Sequence, residues 1–226
     1  YNTRITEMTE VQGLLRAPLA EQQTYIDTKR QQMAANGGSV SDQANVNRLQ
    51  TAIDTNTKML KEQPLTFNAM RTGVDVAPLD ITGLGTPEGA QAIIGQISER
   101  FDVVNSVRKA YGPEVARNPW KPEEQTMLAS ALAVADDGTK LQILAAVAAG
   151  APSGADYAAA IKPLTADQPI TMLAGLAQAR GLKGADGTDM PKTLLAGAKV
   201  LADKSVQMPK EQEFRLSFDG AVGESI

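Results

Sequence analysis

The sequence predicts an all-α protein with an N-terminal helical hairpin, a compact bundle of short helices and an extended C-terminal tail. Of its 226 residues, 34 are alanine, which has the highest helix propensity and lets helices pack closely. Aromatic residues make up only 4 %, fewer than a β-sandwich would require. Apolar residues also recur at spacings of three and four through most of the chain, which indicates one-sided helices.

Residues 1–63 are predicted to form a helical hairpin arm. Pro18 opens the first helix and the Asn36-Gly37-Gly38 turn ends it. Ser41 or Asp42 caps the second helix. The apolar residues form one narrow seam along the two helices: Leu19, Ile26 and Met33 on the first, and Val46, Leu49, Ile53 and Leu60 on the second.

This seam is too narrow to form a core alone. It favours a hairpin that packs on the rest of the chain or on a neighbouring subunit over a free two-stranded coiled coil. Of these two, we expect contact with a partner in an assembled state, because the polar sides of the hairpin are rich in Gln and Asn and poor in charge.

Residues 64–86 are predicted to be a linker or loop, because seven Pro and Gly residues fall between Pro64 and Gly89. The helical bundle is predicted over 87–204. Its first helix carries a cap, a proline and an acid in Thr86-Pro87-Glu88. We expect this helix to be the central core element, with Ile94, Ile97 and Phe101 nearly buried.

Short helices separated by turn signals follow Trp120, and we predict them over 122–135, 140–149, 154–161, 168–179 and 191–202. Each is too short to be stable alone, so its stability has to come from stacking on its neighbours. The absence of a fixed repeat length favours a compact bundle over a solenoid.

Residues 205–226 are predicted to form an extended docking tail. Phe214, Leu216 and Phe218 alternate there with polar residues, as in a short strand or an extended strap. The chain has only four phenylalanines, so two in this tail suggest that it packs against something.

Composition excludes several classes of chemistry. The chain has no His and no Cys, which rules out Ser-His-Asp and Cys-His nucleophiles, thiolate metal sites and disulfides. A net charge of −4 with scattered basic residues argues against a domain built to grip nucleic acid. No apolar run is long enough for a transmembrane helix. The chain starts at Tyr1 without a signal-peptide pattern, so we expect a piece of a longer polypeptide.

Four short motifs were tested as functional sites. Ser106 and Lys109 match the S-x-x-K spacing of penicillin-recognising enzymes, but the partner motifs are missing. The carboxylates of Asp136-Asp137-Gly138 and of residues 186–189 lack the spacing of an EF-hand and are predicted to be helix caps and turn residues. Gly83-x-Gly85 lacks a preceding strand and is predicted to be a cap and hinge.

One further residue and one residue pair could take part in binding or cleaving sugars. Trp120 lies between prolines and is predicted to plug a corner of the fold. Glu224-Ser225 resembles the catalytic Glu-Ser pair of lysozyme-like lytic transglycosylases, but it lacks their surrounding helix and sugar cleft. Two carboxylates that folding brings together could form a hydrolase site, and the sequence leaves this alternative open. We predict no catalytic, cofactor-binding or metal-binding residue.

Four segments carry a resemblance to a known family: Ala110-Tyr111-Gly112, Asn118-Pro119-Trp120-Lys121-Pro122-Glu123-Glu124, Met208-Pro209-Lys210 and the Phe214/Phe218 tail. In the style and order of these segments, residues 60–226 resemble the helical parts of large phage internal virion proteins. These are the DNA-ejection proteins of short-tailed phages, often joined to a lytic transglycosylase domain. The resemblance implies a protein that is expelled with DNA and assembles into a conduit across the cell envelope. It supplies no functional residues.

We therefore expect a non-enzymatic structural or assembly module of a phage virion or prophage protein. It would reside in the virion, being made in the host cytoplasm and reaching the periplasm after ejection. Its partners would be copies of itself or other virion proteins, with no small-molecule substrate and no cofactor. The alternative is an accessory domain of a peptidoglycan-degrading enzyme, which positions a catalytic domain outside this chain.

Overall fold

A computed structural model describes residues 9–165 and 169–202, and within these ranges all regular structure is α-helical, as predicted. Residues 9–14 are helical and precede the first complete helix. The predicted docking tail, residues 205–226, lies outside the described residues. The helices are α1 (Leu19–Asn36), α2 (Val40–Glu62), α3 (Pro64–Thr72), α4 (Pro87–Tyr111), α5 (Pro122–Val134), α6 (Asp137–Gly150), α7 (Gly154–Ile161), α8 (Pro169–Ala179) and α9 (Met190–Ala202).

Helices α1 and α2 form the predicted hairpin. Gly37 ends α1 in the left-handed conformation, with φ of 65°, and its N–H bonds to the carbonyl of Met33. Ser39, rather than Ser41 or Asp42, caps α2, because the chain has already turned at the two glycines. Asp42 closes a capping box by accepting the Ser39 N–H at 2.9 Å.

Other parts of the same chain fill the hairpin seam. Toward the turn, Ile26, Leu49 and Ile53 pack against apolar side chains of residues 11–15. At the open end, Leu19 and Leu60 join a cluster with Phe67, Val107 and Val115. Our expectation that a partner covers this seam is therefore wrong. The residues before Pro18 supply a third apolar layer, and the base of the hairpin belongs to the core.

The predicted linker over 64–86 is also wrong in its first half. Pro64 stands at the first helical position of α3, where its missing N–H has no intrahelical partner to lose, and Gly73 ends the helix with φ of 72°. Leu65 and Phe67 are buried there. The remaining residues to Thr86 are irregular, but they bury Val76, Leu79 and Leu84. The same Pro and Gly residues therefore mark helix ends in a packed segment.

Helix α4 connects the apolar clusters of the fold. It starts as predicted, with the Thr86 hydroxyl accepting the N–H of Gly89 at 3.1 Å. Ile97 and Phe101 are 2 % and 1 % exposed, as predicted, whereas Ile94 is half-buried and Ile93 takes the buried position. Farther along α4, Val104 and Val107 reach the clusters around α3 and the hairpin base.

Helix α6 occupies the middle of the C-terminal bundle, where it packs against α4, α5, α7, α8 and α9. Small residues allow this close packing. A Cβ atom on Gly175 of α8 would lie 2.7 Å from the Leu144 Cβ of α6 and 2.3 Å from the Tyr157 hydroxyl. Two helices therefore make the central contacts of the fold: α4 contacts the hairpin base, and α6 contacts the short helices. We had expected α4 alone to be central.

The Phe101→Ala variant tests the role of α4 in the main core. We expect it to lower the free energy of unfolding by about 3–5 kcal/mol, through lost burial and the cavity left behind. Val134→Ala, at a side chain that is 86 % exposed, is the control and should change stability by less than about 0.5 kcal/mol. Urea unfolding followed by circular dichroism measures both, and a loss below about 1 kcal/mol for Phe101→Ala contradicts this account of the core.

Candidate functional site

A buried ion pair joins α4 to α5. Arg100 and Glu124 have side chains that are 1 % and 4 % exposed, with Arg100 Nη2 and Glu124 Oε1 2.5 Å apart. Arg100 Nε also donates to Glu124 Oε2 at 3.2 Å, so the contact is bidentate. Such a pair is stable inside a protein only if its remaining donors and acceptors are satisfied.

The residues around this pair meet that requirement. Arg100 donates to the carbonyls of Ala77 at 2.6 Å and Gln96 at 2.8 Å. Glu124 accepts the backbone N–H groups of Leu79 at 3.0 Å and Lys121 at 3.2 Å. The pair therefore fixes the irregular segment 75–80, which we call the strap, against α4 and the start of α5.

Lys121 adds a second attachment for the strap. Its Nζ donates to Asp75 Oδ2 and to the carbonyl of Val76, each at 2.9 Å. With the hydrogen bonds described above, both carboxylate oxygens of Glu124 accept from protein donors, and the group is shielded from solvent. This arrangement holds structure together and leaves no open carboxylate for acid–base chemistry.

A second charged cluster ties the loop before α5 to α7. Arg117 Nη1 lies 2.8 Å from Oδ1 of Asp156, a nearly buried carboxylate that also accepts the Ser153 hydroxyl. Arg108 of α4 donates to the carbonyl of Val115 in the same loop. Burial, together with repulsion from Arg117, lowers the pKa of Arg108, and attraction to Asp156 partly offsets this.

A third cluster holds the N-terminal segment on α1. Lys29 Nζ lies 2.7 Å from Glu10 Oε1 and 5.4 Å from the ring centroid of Tyr25, whose hydroxyl also donates to Glu10. Burial raises the pKa of Glu10, but the hydrogen bonds from Lys29 and Tyr25 outweigh it and the pKa is lowered overall. The cluster therefore favours the charged carboxylate and fastens the third layer of the hairpin.

An open groove of about 280 Å³ lies among α5, α6, α8 and α9. Its polar groups come from Thr165, Thr171, Lys140 and Lys199. The Thr165 hydroxyl is buried without a hydrogen-bond partner among the described residues. None of the described residues that line the groove is acidic, so it suits an apolar segment. The apolar lining consists of Leu132, Leu144, Leu164, Leu195, Ala129, Ala133 and Ala198.

The motifs tested in the sequence have local structural roles. The Ser106 hydroxyl donates to the carbonyl of Asp102 at 2.8 Å, so it is not paired with the exposed Lys109. Asp136 caps α6 by accepting the Thr139 N–H at 3.0 Å, as predicted. That hydrogen bond and one from the Thr139 hydroxyl lower the pKa of Asp136.

The carboxylates at 186–189 also serve turns. Asp186 accepts from the backbone and hydroxyl of Thr188, and Asp189 accepts the Lys192 N–H at 3.2 Å at the start of α9. These bonds fit the turn and cap roles that we predicted.

Gly83 and Gly89 are both needed for a close approach of two backbones. A Cβ on Gly83 would lie 2.8 Å from the Gly89 Cα, and a Cβ on Gly89 would lie 2.1 Å from the Gly83 carbonyl oxygen. Trp120 is 1 % exposed, and its Nε1 donates to the carbonyl of Ala160 at 2.7 Å, which confirms the predicted corner plug. Glu224 and Ser225 lie outside the described residues.

No group of three acidic residues close enough to share a metal ion occurs within the described ranges. No helix in this part of the chain is long and apolar enough to cross a membrane. No family model matches the sequence, and neither a curated protein nor a solved structure shows significant similarity to it.

Sequence reasoning missed the Arg100–Glu124 pair, although a signal was present. Arg100 falls on the apolar side of its helix, between Ile97, Phe101 and Val104. A charge in an apolar stripe requires a buried partner or a route to solvent. The partner could not be chosen from sequence, because Glu124 is one of two adjacent acids in the first turn of α5.

Breaking this ion pair should destabilise the fold strongly. We expect Glu124→Gln to lower the free energy of unfolding by about 3–5 kcal/mol, because it leaves the Arg100 charge buried and uncompensated. The double variant Arg100→Met/Glu124→Gln should lose less than the sum of the two single variants.

The exposed Lys61–Glu114 pair, with its atoms 3.8 Å apart, provides the control. Lys61→Met should cost less than about 1 kcal/mol. Denaturant unfolding of the four variants measures these differences, and additive losses in the double variant would contradict a coupled pair.

Proposed function

We propose that this chain is a non-enzymatic structural module of a phage virion or prophage protein. It acts through protein–protein contacts and takes part in assembling a DNA-ejection conduit. The resemblance of residues 60–226 to internal virion proteins supports this context, and so does the all-helical architecture, which presents surfaces for assembly. Its partners are copies of itself or other virion proteins, and its location is the virion.

One observation carries the assembly role. Residues 27–45, which we call the tip, form the far end of the hairpin and contain no buried residue. The ten helical residues from Asp27 to the end of α1 extend about 15 Å beyond the last buried side chain of that helix. Val40, at the start of α2, is 89 % exposed.

The helix ends at the tip are capped, so the tip presents preformed helices as a contact surface. The Ser39–Asp42 capping box fixes the start of α2, and the left-handed Gly37 fixes the end of α1. Next to it, the base of the hairpin is anchored in the core through Leu19 and Leu60. A partner that binds the tip therefore meets preformed helices and pays little ordering entropy.

The state of the buried carboxylates supports a non-enzymatic role. Glu124 and Asp156 are each held by at least two donors of the protein. Catalytic acids work when they are poised to exchange a proton with a substrate, which these saturated carboxylates are not. The groove presents lysine, threonine and apolar groups, which suit binding of a chain segment.

Charges added to the tip should weaken assembly without harming the fold. We expect Val40→Glu/Ser41→Glu to raise the dissociation constant for self-association at least about tenfold, because two carboxylates would be desolvated in the contact. Both substitutions lie in the first turn of α2, where the helix dipole favours acids. Analytical ultracentrifugation of the full chain measures the change.

The charge-matched control is Gln91→Glu/Ala92→Glu, at exposed positions on α4. It should leave self-association unchanged. An equal loss in both double variants, or none in the tip variant, would contradict an assembly role for the tip. Portal and tail genes beside the gene for this chain would support the virion context.

The chain by itself should not degrade peptidoglycan. We expect no clearing of purified peptidoglycan by the full 226-residue chain, because glycoside cleavage needs available carboxylates and the buried acids Glu124 and Asp156 are occupied by protein donors. A turbidity assay with lysozyme as the positive control provides the measurement. Clearing that a single Asp or Glu substitution abolishes would show that the chain is a hydrolase.

A further inference from the structure

The apolar groove lies directly beside the point where the described chain ends. Ala198 and Lys199 of α9 line the groove, and Ala202, the last described residue, follows Lys199 by less than one helical turn. The sequence then continues for 24 residues, 203–226.

We propose that this groove is the docking site for the C-terminal tail of the same chain, residues 205–226. Phe214, Leu216 and Phe218 are the side chains that enter it. This inference stands on the groove and the tail sequence and is independent of the role proposed for the tip.

The apolar patterns of tail and groove correspond. In an extended segment Phe214, Leu216 and Phe218 project on one side, at intervals of about 6.6–6.8 Å, and Arg215 and Ser217 project on the other. The groove offers leucine and alanine side chains from several helices.

The polar features of the groove correspond as well. Four acids and two basic residues lie in 205–226, whereas the described groove lining contains Lys140 and no acid. Lys199, which also lines the groove, is already paired with Asp137 at 2.7 Å. The buried Thr165 hydroxyl requires a hydrogen-bond partner. A segment docked in extended conformation carries backbone N–H and C=O groups that its own chain does not satisfy, and these can supply one.

The connecting length favours the chain's own tail over that of a second copy. Eleven residues separate Ala202 from Phe214, and an extended chain of that length spans roughly 40 Å, enough to return to the groove from the end of α9. A covalent tether of this length gives an effective concentration on the order of millimolar, well above typical protein concentrations in solution.

Disulfide trapping in the full chain tests the proposal, since the chain has no native cysteine. Ala133→Cys, at an exposed position on the groove, is combined with Leu216→Cys. The matched control combines Leu216→Cys with Ala110→Cys, an exposed alanine at the end of α4 that does not line the groove. A disulfide requires Cα atoms about 4.4–6.8 Å apart, so its rate reports how often the tail visits each place.

We expect the groove pair to form an intramolecular disulfide at least about tenfold faster than the control pair. Adding Phe214→Ser and Phe218→Ser to the groove pair should reduce its rate to that of the control. Equal rates for the two pairs, or a groove rate unaffected by the Phe substitutions, would overturn the proposal. Disulfide-linked dimers in place of the intramolecular product would assign the groove to the tail of a second copy and overturn it too.

Discussion

The buried Arg100–Glu124 pair is the interaction on which the arrangement of the helices depends. It joins α4, the strap and α5 through side-chain and backbone hydrogen bonds. An apolar contact tolerates sliding, but a bidentate ion pair with all its other donors and acceptors satisfied has one geometry. The strap is held by backbone groups that bind these two side chains. Its position in turn sets where Leu79 and Leu84 enter the main core.

Close helix packing is the second constraint, and glycines at helix contacts permit it. Gly150 approaches Ile97 and Gly175 approaches Leu144 so closely that a Cβ atom on either glycine would lie 2.7 Å from the neighbouring side chain. Short helices are marginal alone, so close contact is what stabilises them. Tyr157 fits this layer by donating its hydroxyl to the Met172 carbonyl at 2.9 Å, and burial raises its pKa. Dispersion contacts and the burial of small apolar side chains therefore stabilise the bundle, which contains few aromatic residues.

Much of the helical pattern could be predicted from sequence, because the signals are local. Thr86-Pro87 and Asp136 are caps whose effect depends on three or four neighbouring residues. The cap of α2 was a local error, since Ser39 takes the place predicted for Ser41 or Asp42. The larger failures involve distant residues. Pro64 was interpreted as a breaker because nothing nearby shows that Phe67 packs edge-on against Tyr111, with ring centroids 5.1 Å apart. The groove could not be predicted at all, since its lining comes from four helices and a loop, and only folding brings them together.

The described fold separates anchoring from contact. Its buried charges hold parts of the chain together. Glu10 binds the N-terminal layer to α1, Asp156 binds the loop before α5, and Glu124 binds the strap. What stays open to other molecules is the amide- and hydroxyl-rich tip at one end, in which Asp27, Lys29, Arg30 and Asp42 carry charge, and the largely apolar groove in the C-terminal bundle. The tip carries two acids and two bases and therefore no net charge, so association through it should depend weakly on salt.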